Sequence, residues 1–366
     1  NGLELLHCNN LHSVAISCHH LFQGVARGNP TVMHALWPDT VTEDTTYGGR
    51  MLWLPLAIAL AFATVLCLLP SDGLLDRGNY RAYVENAPLI MLRWDIVDII
   101  RILANEPVWI MINVALGKFL WPEQALQAII FVSTALTSYF FLRTGRQKLL
   151  PLMMLFAFLL LPQVLKNHVI HLRQGLGVAL FLTGWFSASP KWRWMLWILA
   201  PLVHSSFFFV LLMISVAQLC SRWRTPLPIV WATFLFLGVG ISLSLEVVAG
   251  AMGARQVEEW EFGKTSGISG LGFLFWTALF LFVCFQPREF LRKHILEFGT
   301  VIFYLATYFL SPAAGRVFES TLLLVVVAGL RMRAPAREIY LGAIAGFGML
   351  QWLMIFVNGT SPFYEY

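Results

Sequence analysis

The sequence predicts an all-α polytopic membrane protein, and two observations lead to that prediction. The 366 residues are 58% hydrophobic and only 12% charged, whereas soluble domains carry about a quarter charged residues. Apolar runs close to the length that crosses a bilayer as a helix recur along the chain. The net charge of +5 therefore indicates cytoplasmic loops rather than nucleic-acid binding, because Lys and Arg concentrate on that side of membrane proteins.

The first 50 residues differ from the rest, since they contain no apolar span and no sustained helical or strand periodicity. The letters YGGR lead directly into Met51 and the first clean apolar run, and suitable codons there would include a ribosome-binding sequence. We therefore expect natural translation to begin at Met51, with residues 1–50 a non-native extension. The alternative is a disordered cytoplasmic tail. In both interpretations residues 51–366 form a single polytopic membrane domain.

About ten to eleven transmembrane helices are predicted beyond Met51, each from an apolar run bounded by charged or turn-forming residues. The predicted spans are residues 51–70, 123–142, 149–165, 167–188, 194–203 with 206–219, 226–250, 268–286, 294–311, 314–332 and 338–357. We expect the two segments of 194–219 to form a short hairpin that is broken at His204.

Short loops rich in Lys and Arg indicate the orientation of the chain. Five of them hold 13 of the 25 Lys and Arg residues, and all five lie on one side if 194–219 is a hairpin. That side is predicted to be cytoplasmic by the positive-inside bias. The five loops are residues 143–148, 189–193, 220–225, 287–293 and 331–337.

Because the chain changes sides at each predicted span, the long first loop, residues 71–122, is placed on the outer side. Apolar residues recur every three or four positions from Leu89 to Leu103, with charged residues on the opposite face. This pattern predicts an amphipathic helix that lies on the membrane surface. A second, interfacial or partly re-entrant helix is predicted from Pro107, because proline suits the first helical position and Glu106 suits the positive helix end.

Polar residues converge at the outer-leaflet level under this topology. Arg173 is expected about two turns inside the span 167–188, and an arginine near mid-bilayer costs at least ~2.5–3.5 kcal/mol, so it usually faces a protein interior or a wet cavity. Arg316 and Glu319, three residues apart, would pair with each other in a purely structural interpretation. The candidate site residues are Asp76, Tyr80, Glu106, Asn113, Arg173, Gln174, His204, Ser205, Arg316 and Glu319.

These residue types point to an anionic ligand and a proton transfer. Guanidinium groups bind phosphate oxygens through paired donors and remain charged, and a lipid-linked diphosphate suits the outer leaflet. Carboxylates and a histidine are the groups that accept a proton from a hydroxyl nucleophile. The sequence contains no P-loop, no zinc-protease or nucleophile-elbow motif and no metal-ligand spacing among its five cysteines. We therefore expect transfer chemistry without a metal or cofactor, with an oxygen-ligated ion as the alternative.

The sequence resembles the EpsG family of Wzy-like polysaccharide polymerases over about residues 51–330. The resemblance depends on the order and spacing of five short motifs. The motifs are DRGNY at 76–80, EP at 106–107, HLRQG at 171–175, HSS at 204–206 and GR at 315–316. Ser205 departs from the family pattern, in which a proline is expected.

The resemblance implies a glycosyltransferase-C-like fold that joins undecaprenyl-diphosphate-linked oligosaccharides at the periplasmic face of a bacterial inner membrane. Arg173 and Arg316 would hold the departing diphosphate, and a base among Asp76, Glu106 and His204 would accept the acceptor proton. Further substrate contacts are expected from Tyr80, Asn113, Gln174, Ser205 and Glu319. The implied partners are the lipid-linked glycan, membrane lipid and a chain-length-determining membrane protein, in the synthesis of O-antigen, capsule or exopolysaccharide.

Two other classes of function fit parts of the pattern. A membrane O-acyltransferase would use His204 as base but would need a cytoplasmic route for an acyl thioester, and the predicted cytoplasmic side carries only loop charges. A flippase for lipid-linked glycans would line its path with charges through the full membrane depth, whereas the charges here gather on the outer side. The polymerase is therefore the favoured prediction.

Overall fold

The structure is a computed structural model that describes residues 53–70, 73–94, 99–145, 149–251, 270–311, 313–359 and 363. The predicted extension at residues 1–50 lies outside the described residues. The acidic part of the predicted outer loop 251–267 does so as well.

Sixteen helices make up the described part of the chain. In chain order they are α1 (Trp53–Cys67), α2 (Arg77–Leu92), α3 (Ile99–Ala104), α4 (Pro107–Gly117), α5 (Pro122–Leu142), α6 (Leu149–Leu159), α7 (Pro162–Val169), α8 (Leu172–Trp185), α9 (Pro190–Val203), α10 (Ser206–Arg222), α11 (Leu227–Ala251), α12 (Leu271–Cys284), α13 (Arg288–Lys293), α14 (Ile295–Thr307), α15 (Ala313–Leu330) and α16 (Ala336–Asn358). Most of them coincide with predicted spans.

The helices confirm the predicted all-α polytopic class. Within the described ranges, α5, α16 and the Leu227–Ser244 part of α11 are each long and apolar enough to cross a membrane alone. The pair α6 and α7 is a fourth candidate, bent by 70° at its break. Helices α1, α4, α10, α12 and α14 are shorter and apolar. The count of ten to eleven spans stays a prediction.

The span predicted at 167–188 is not one continuous helix. Helix α7 ends at Val169 and α8 begins at Leu172, so Arg173 lies in the first turn of a helix and not two turns inside it. Two tertiary contacts explain the break. The buried Arg77 donates from Nε to the Val169 carbonyl at 3.0 Å, and Gly175 packs so closely on α7 that a Cβ there would clash with the Asn167 carbonyl.

The amphipathic helix predicted from Leu89 to Leu103 is also wrong in its bounds. Helix α2 begins much earlier and ends at Leu92, and Trp94 is no longer helical. Its last turn tightens, because Arg93 and Trp94 donate to carbonyls three residues back. The earlier start is explained by the buried positions of α2, which recur every three or four residues. This is the same helical spacing that led to the prediction for residues 89–103. The buried positions are Arg77, Tyr80, Val84 and Ala87.

Helices α8 and α15 lie at the centre of the packing. Helix α8 contacts α5, α7, α9 and α15, and α15 also contacts α10, α14 and α16. Helix α2 packs on α4 and α5, next to this centre. On another part of the molecule, Arg292 donates to the Thr225 carbonyl at 3.4 Å. That bond joins two loops that the sequence predicts on the same, cytoplasmic side.

Candidate functional site

A cavity of about 590 Å³ lies among α2, α8 and α15, beside the break between α9 and α10. Six of the ten candidate residues line it. They are Asp76, Tyr80, Arg173, Gln174, His204 and Arg316. The structure thus brings together side chains that are up to 240 positions apart in the sequence.

Glu106 lies buried beside this cavity and accepts hydrogen bonds from three separate donors. Arg173 donates from Nη1 to Oε2 at 2.6 Å, and His204 Nδ1 lies 2.9 Å from Oε1. The backbone N–H of Ser205 donates to Oε1 at 3.1 Å. A buried carboxylate is tolerated when it is paired and hydrogen-bonded. Glu106 therefore ties the start of α4 to α8 and to the α9–α10 break.

The backbone at Glu106 and Asp76 is strained. Among the described residues, three that are not glycine have positive φ, and two of them are Asp76 at 62° and Glu106 at 58°. Such conformations cost energy, persist only where the surroundings impose them, and occur often at functional sites. Each of these residues directly precedes a helix, α2 or α4, and each side chain contacts a histidine at the cavity.

The two ring nitrogens of His204 have different surroundings. With Nδ1 donating to the Glu106 carboxylate, Nε2 is left as the acceptor. Nε2 is buried and has no hydrogen-bond partner within the described part of the chain. Since His204 also lines the cavity, the arrangement suits proton acceptance from a bound group.

Arg173 is held by a carboxylate and by two aromatic rings. Its guanidinium lies 5.9 Å from the Tyr80 ring centre and 5.6 Å from that of Tyr83, distances at which cations are attracted to ring faces. The ion pair of Arg173 is with Glu106, whose side chain is almost fully buried. The cost of burying Arg173 is therefore offset by Glu106.

Arg316 projects from the first turns of α15, and its guanidinium makes no ion pair or hydrogen bond within the described residues. The predicted pairing with Glu319 is absent from the ion pairs of this part of the chain. Gln174 donates to the Arg316 backbone carbonyl at 2.7 Å and to Ser320 Oγ at 3.1 Å. Gln174 thus fixes α15 against α8 and leaves the Arg316 side chain available to an anion.

A second carboxylate–imidazole contact, between Asp76 and His171, borders the same cavity. Asp76 Oδ2 lies 3.5 Å from His171 Nδ1. A hydrogen bond from His171 lowers the pKa of Asp76 and outweighs its partial burial, and the charges of Arg316 and Arg173 add to the lowering. Asp76 is therefore ionised at neutral pH, at the half-exposed rim of the cavity.

Besides Glu106, three candidate residues do not line the cavity. Asn113 is buried in α4 and donates to the Trp109 carbonyl at 2.8 Å. Ser205 acts through its backbone N–H on Glu106. The Glu319 backbone carbonyl accepts from Asn167 at 3.4 Å, and its side chain lies away from the cavity lining. Their expected substrate contacts remain predictions that this geometry does not favour.

Sequence reasoning missed several lining residues. Asn79, Tyr83, Asn86 and Ile90 follow one another at spacings of four, three and four along α2, and all border the cavity. The signal lies in the spacing itself, which marks one face of a helix that begins at Arg77, twelve positions before the predicted start at Leu89. Among the described residues, no group of three His, Cys, Asp or Glu side chains lies close enough to hold a metal ion.

The fold and this cavity define a multi-pass membrane protein with buried ion pairs at a polar site. The chain belongs to the EpsG family, which it matches over residues 53–366. Members of this family are Wzy-like polysaccharide polymerases, so the resemblance seen in the five motifs is confirmed. Family membership indicates a glycosyltransferase-like polymerase in polysaccharide biosynthesis. No curated protein and no solved structure matches the chain.

Proposed function

We propose that the protein polymerises undecaprenyl-diphosphate-linked repeat units by glycosyl transfer at the periplasmic face of a bacterial inner membrane. One observation carries the proposal. Within the residues that the structure describes, the Arg316 guanidinium makes no ion pair and His204 Nε2 has no hydrogen-bond partner, and both side chains border the same cavity. Transfer from a diphosphate requires these two functions together, an anion holder and a base. The product is O-antigen, capsule or exopolysaccharide.

The diphosphate of the donor lies against Arg316 in this proposal. As the bond between the anomeric carbon and the diphosphate oxygen breaks, negative charge grows on the departing diphosphate. Positive groups that are already in place stabilise that charge without reorganisation. Arg173 adds a second, partly neutralised guanidinium, because Glu106 takes one of its donors. The leaving group needs no proton from the protein, since a diphosphate is a stable anion.

His204 is the base among the three candidates. The acceptor hydroxyl attacks the anomeric carbon of the donor and transfers its proton to His204 Nε2. Glu106 already accepts three hydrogen bonds, so its role is to orient the imidazole and stabilise the imidazolium that forms. Asp76 faces the rim, where it contacts His171 rather than the base.

The test uses the purified protein in lipid nanodiscs and the lipid-linked oligosaccharide fraction from cells that lack its gene. We expect a ladder of longer glycans and one undecaprenyl diphosphate released for each new bond. Arg316→Ala should lower the rate strongly, because a charge-assisted donor to the leaving group is lost. No release of undecaprenyl diphosphate by the wild type would overturn the proposal. An O-acyltransferase would instead consume an acyl thioester, and a flippase would form no bond.

A further inference from the structure

The cavity is lined by two chemically different sets of side chains. The first is the charged set that includes Arg173, Arg316 and His204. The second is the α2 stripe, which we define as Asn79, Tyr83, Asn86 and Ile90. Every member of the α2 stripe is neutral, although the helix also carries Arg81 and Glu85. Neutral groups attract a diphosphate only weakly, so the α2 stripe is better suited to an uncharged part of the substrate.

The α2 stripe combines amide and aromatic surface. Residues three and four apart share a face of a helix, so the four side chains form one continuous row. The Asn79 and Asn86 side chains are exposed, and Asn86 uses its Nδ2 on the Ala82 carbonyl of its own helix. The Tyr83 ring is supported from behind by the Trp109 ring, 6.5 Å away in an edge-on arrangement.

We propose that the α2 stripe binds the sugars of the lipid-linked repeat unit and selects which glycan is polymerised. This inference rests on the proposed function. Amide groups both donate and accept hydrogen bonds, as sugar hydroxyls do. An aromatic ring presents a flat apolar face with a polar edge, which suits the C–H face of a pyranose. Sites of this kind combine apolar surface with a few placed polar groups that determine specificity.

The position of the α2 stripe matches the covalent order of the substrate. The Arg173 guanidinium lies over the Tyr83 ring, so the row runs directly beside the proposed diphosphate site. From Asn79 to Ile90 the helix rises by roughly 16 Å at about 1.5 Å per residue. That length exceeds one sugar ring, so the α2 stripe contacts several sugars of an oligosaccharide.

The experiment separates binding of the glycan from binding of the diphosphate. Two probes are used with nanodisc-embedded protein, the lipid-linked oligosaccharide fraction as substrate and sugar-free undecaprenyl diphosphate as inhibitor. We expect Asn79→Ala and Asn86→Ala each to raise KM for the substrate about tenfold, the size of one lost hydrogen bond. Their kcat and their inhibition by undecaprenyl diphosphate should stay within about twofold of the wild type. Arg316→Ala should instead lower kcat and abolish inhibition by undecaprenyl diphosphate.

Tyr83 and an asparagine that does not line the cavity, Asn358, provide the controls. Tyr83→Phe keeps the ring and should bind substrate nearly as well as the wild type, whereas Tyr83→Ala should raise KM more than either asparagine variant. Asn358→Ala, an exposed substitution at the end of α16, should change nothing. A thermal melt of each variant identifies any that fold poorly, and the asparagine variants decide the question if Tyr83→Ala is one of them.

The two proposals fail in different ways. If the wild type forms polymer and is inhibited by undecaprenyl diphosphate, but the asparagine variants leave KM unchanged, the α2 stripe is not a sugar site. Equal weakening of substrate and inhibitor by those variants would also overturn the inference, because the stripe would then serve the diphosphate. If the wild type forms no polymer and releases no undecaprenyl diphosphate, the proposed function itself is wrong.

Discussion

Two buried pairs of glutamate and histidine in this molecule look alike in isolation. Glu106 and His204 approach to 2.9 Å, and Glu297 and His294 approach to 3.1 Å. All four side chains are less than a tenth exposed. Glu106–His204 joins residues 98 positions apart, whereas His294 and Glu297 are three positions apart.

The surroundings of the two pairs differ. Glu106 is also paired with a cation, Arg173, and His204 borders the cavity. The His294 ring instead lies 4.7 Å from Phe290 and 6.3 Å from Phe298, and His294 does not line that cavity. A buried acid–imidazole pair is therefore not in itself a sign of catalysis. Access to a cavity and an added charge distinguish the first pair.

The largest expected difference comes from removing each histidine. His204→Ala should leave protein in the membrane but slow polymer elongation about 10²–10⁴-fold, the usual loss for a general base. His294→Ala should keep the rate per molecule and lower the amount of folded protein. A polymer ladder gel beside a membrane immunoblot measures both. Normal elongation by the His204 variant at native expression would make another group the base.

A double replacement sharpens the same comparison. Buried ion pairs can often be exchanged for packed apolar residues without loss of stability. We expect His294→Phe with Glu297→Leu to retain polymer, and His204→Phe with Glu106→Leu to make none even where it folds. Thermal melting and the ladder assay on purified proteins test this. Loss of polymer from a well-folded His294/Glu297 variant would assign that pair a functional role.

Substitution of Arg173 tests what the cation beside Glu106 contributes. Arg173→Ala leaves the buried Glu106 carboxylate without its nearest cation, which costs about 3–5 kcal/mol in buried pairs, so protein levels should fall. Adding Glu106→Gln should partly restore those levels but not polymer. Arg173→Lys keeps the charge yet loses the planar donors, so polymer should be nearly as low as with alanine. Full polymer from well-expressed Arg173→Ala protein would remove the residue from the mechanism.

The smallest expected effect is at the half-exposed contact between Asp76 and His171. The pKa of Asp76 is lowered in the folded protein. Its ionised form therefore stabilises the fold at every pH above the ordinary aspartate pKa of about 3.9, and this stabilisation is lost only as the pH falls below that value. Asp76→Asn should therefore slow elongation by about tenfold or less, equally at every pH from 5 to 8. A loss as large as that of His204→Ala would instead identify Asp76 as the base.

Apolar patterning was enough to predict the class and most helix positions, because membrane spans need long apolar runs. The motif residues at breaks, such as His204 and Arg316, could also be picked out, since charged groups in such runs need an explanation. The start of α8 could not be predicted, because Arg77 ends α7 from 92 positions away. The three donors to Glu106 could not be predicted either, since they come from residues 67, 98 and 99 positions further on.

The arrangement around Glu106 has a consequence for biogenesis. Chains are synthesised from the N-terminus, so Glu106 emerges from the ribosome well before Arg173, and Arg173 before His204. An ionised carboxylate is too costly to bury alone, so Glu106 must either stay in contact with water or take up a proton until both donors have been inserted. Arg316 arrives later still. A nascent chain therefore holds an incomplete cavity lining, and the proposed site is complete only after α15 has been inserted.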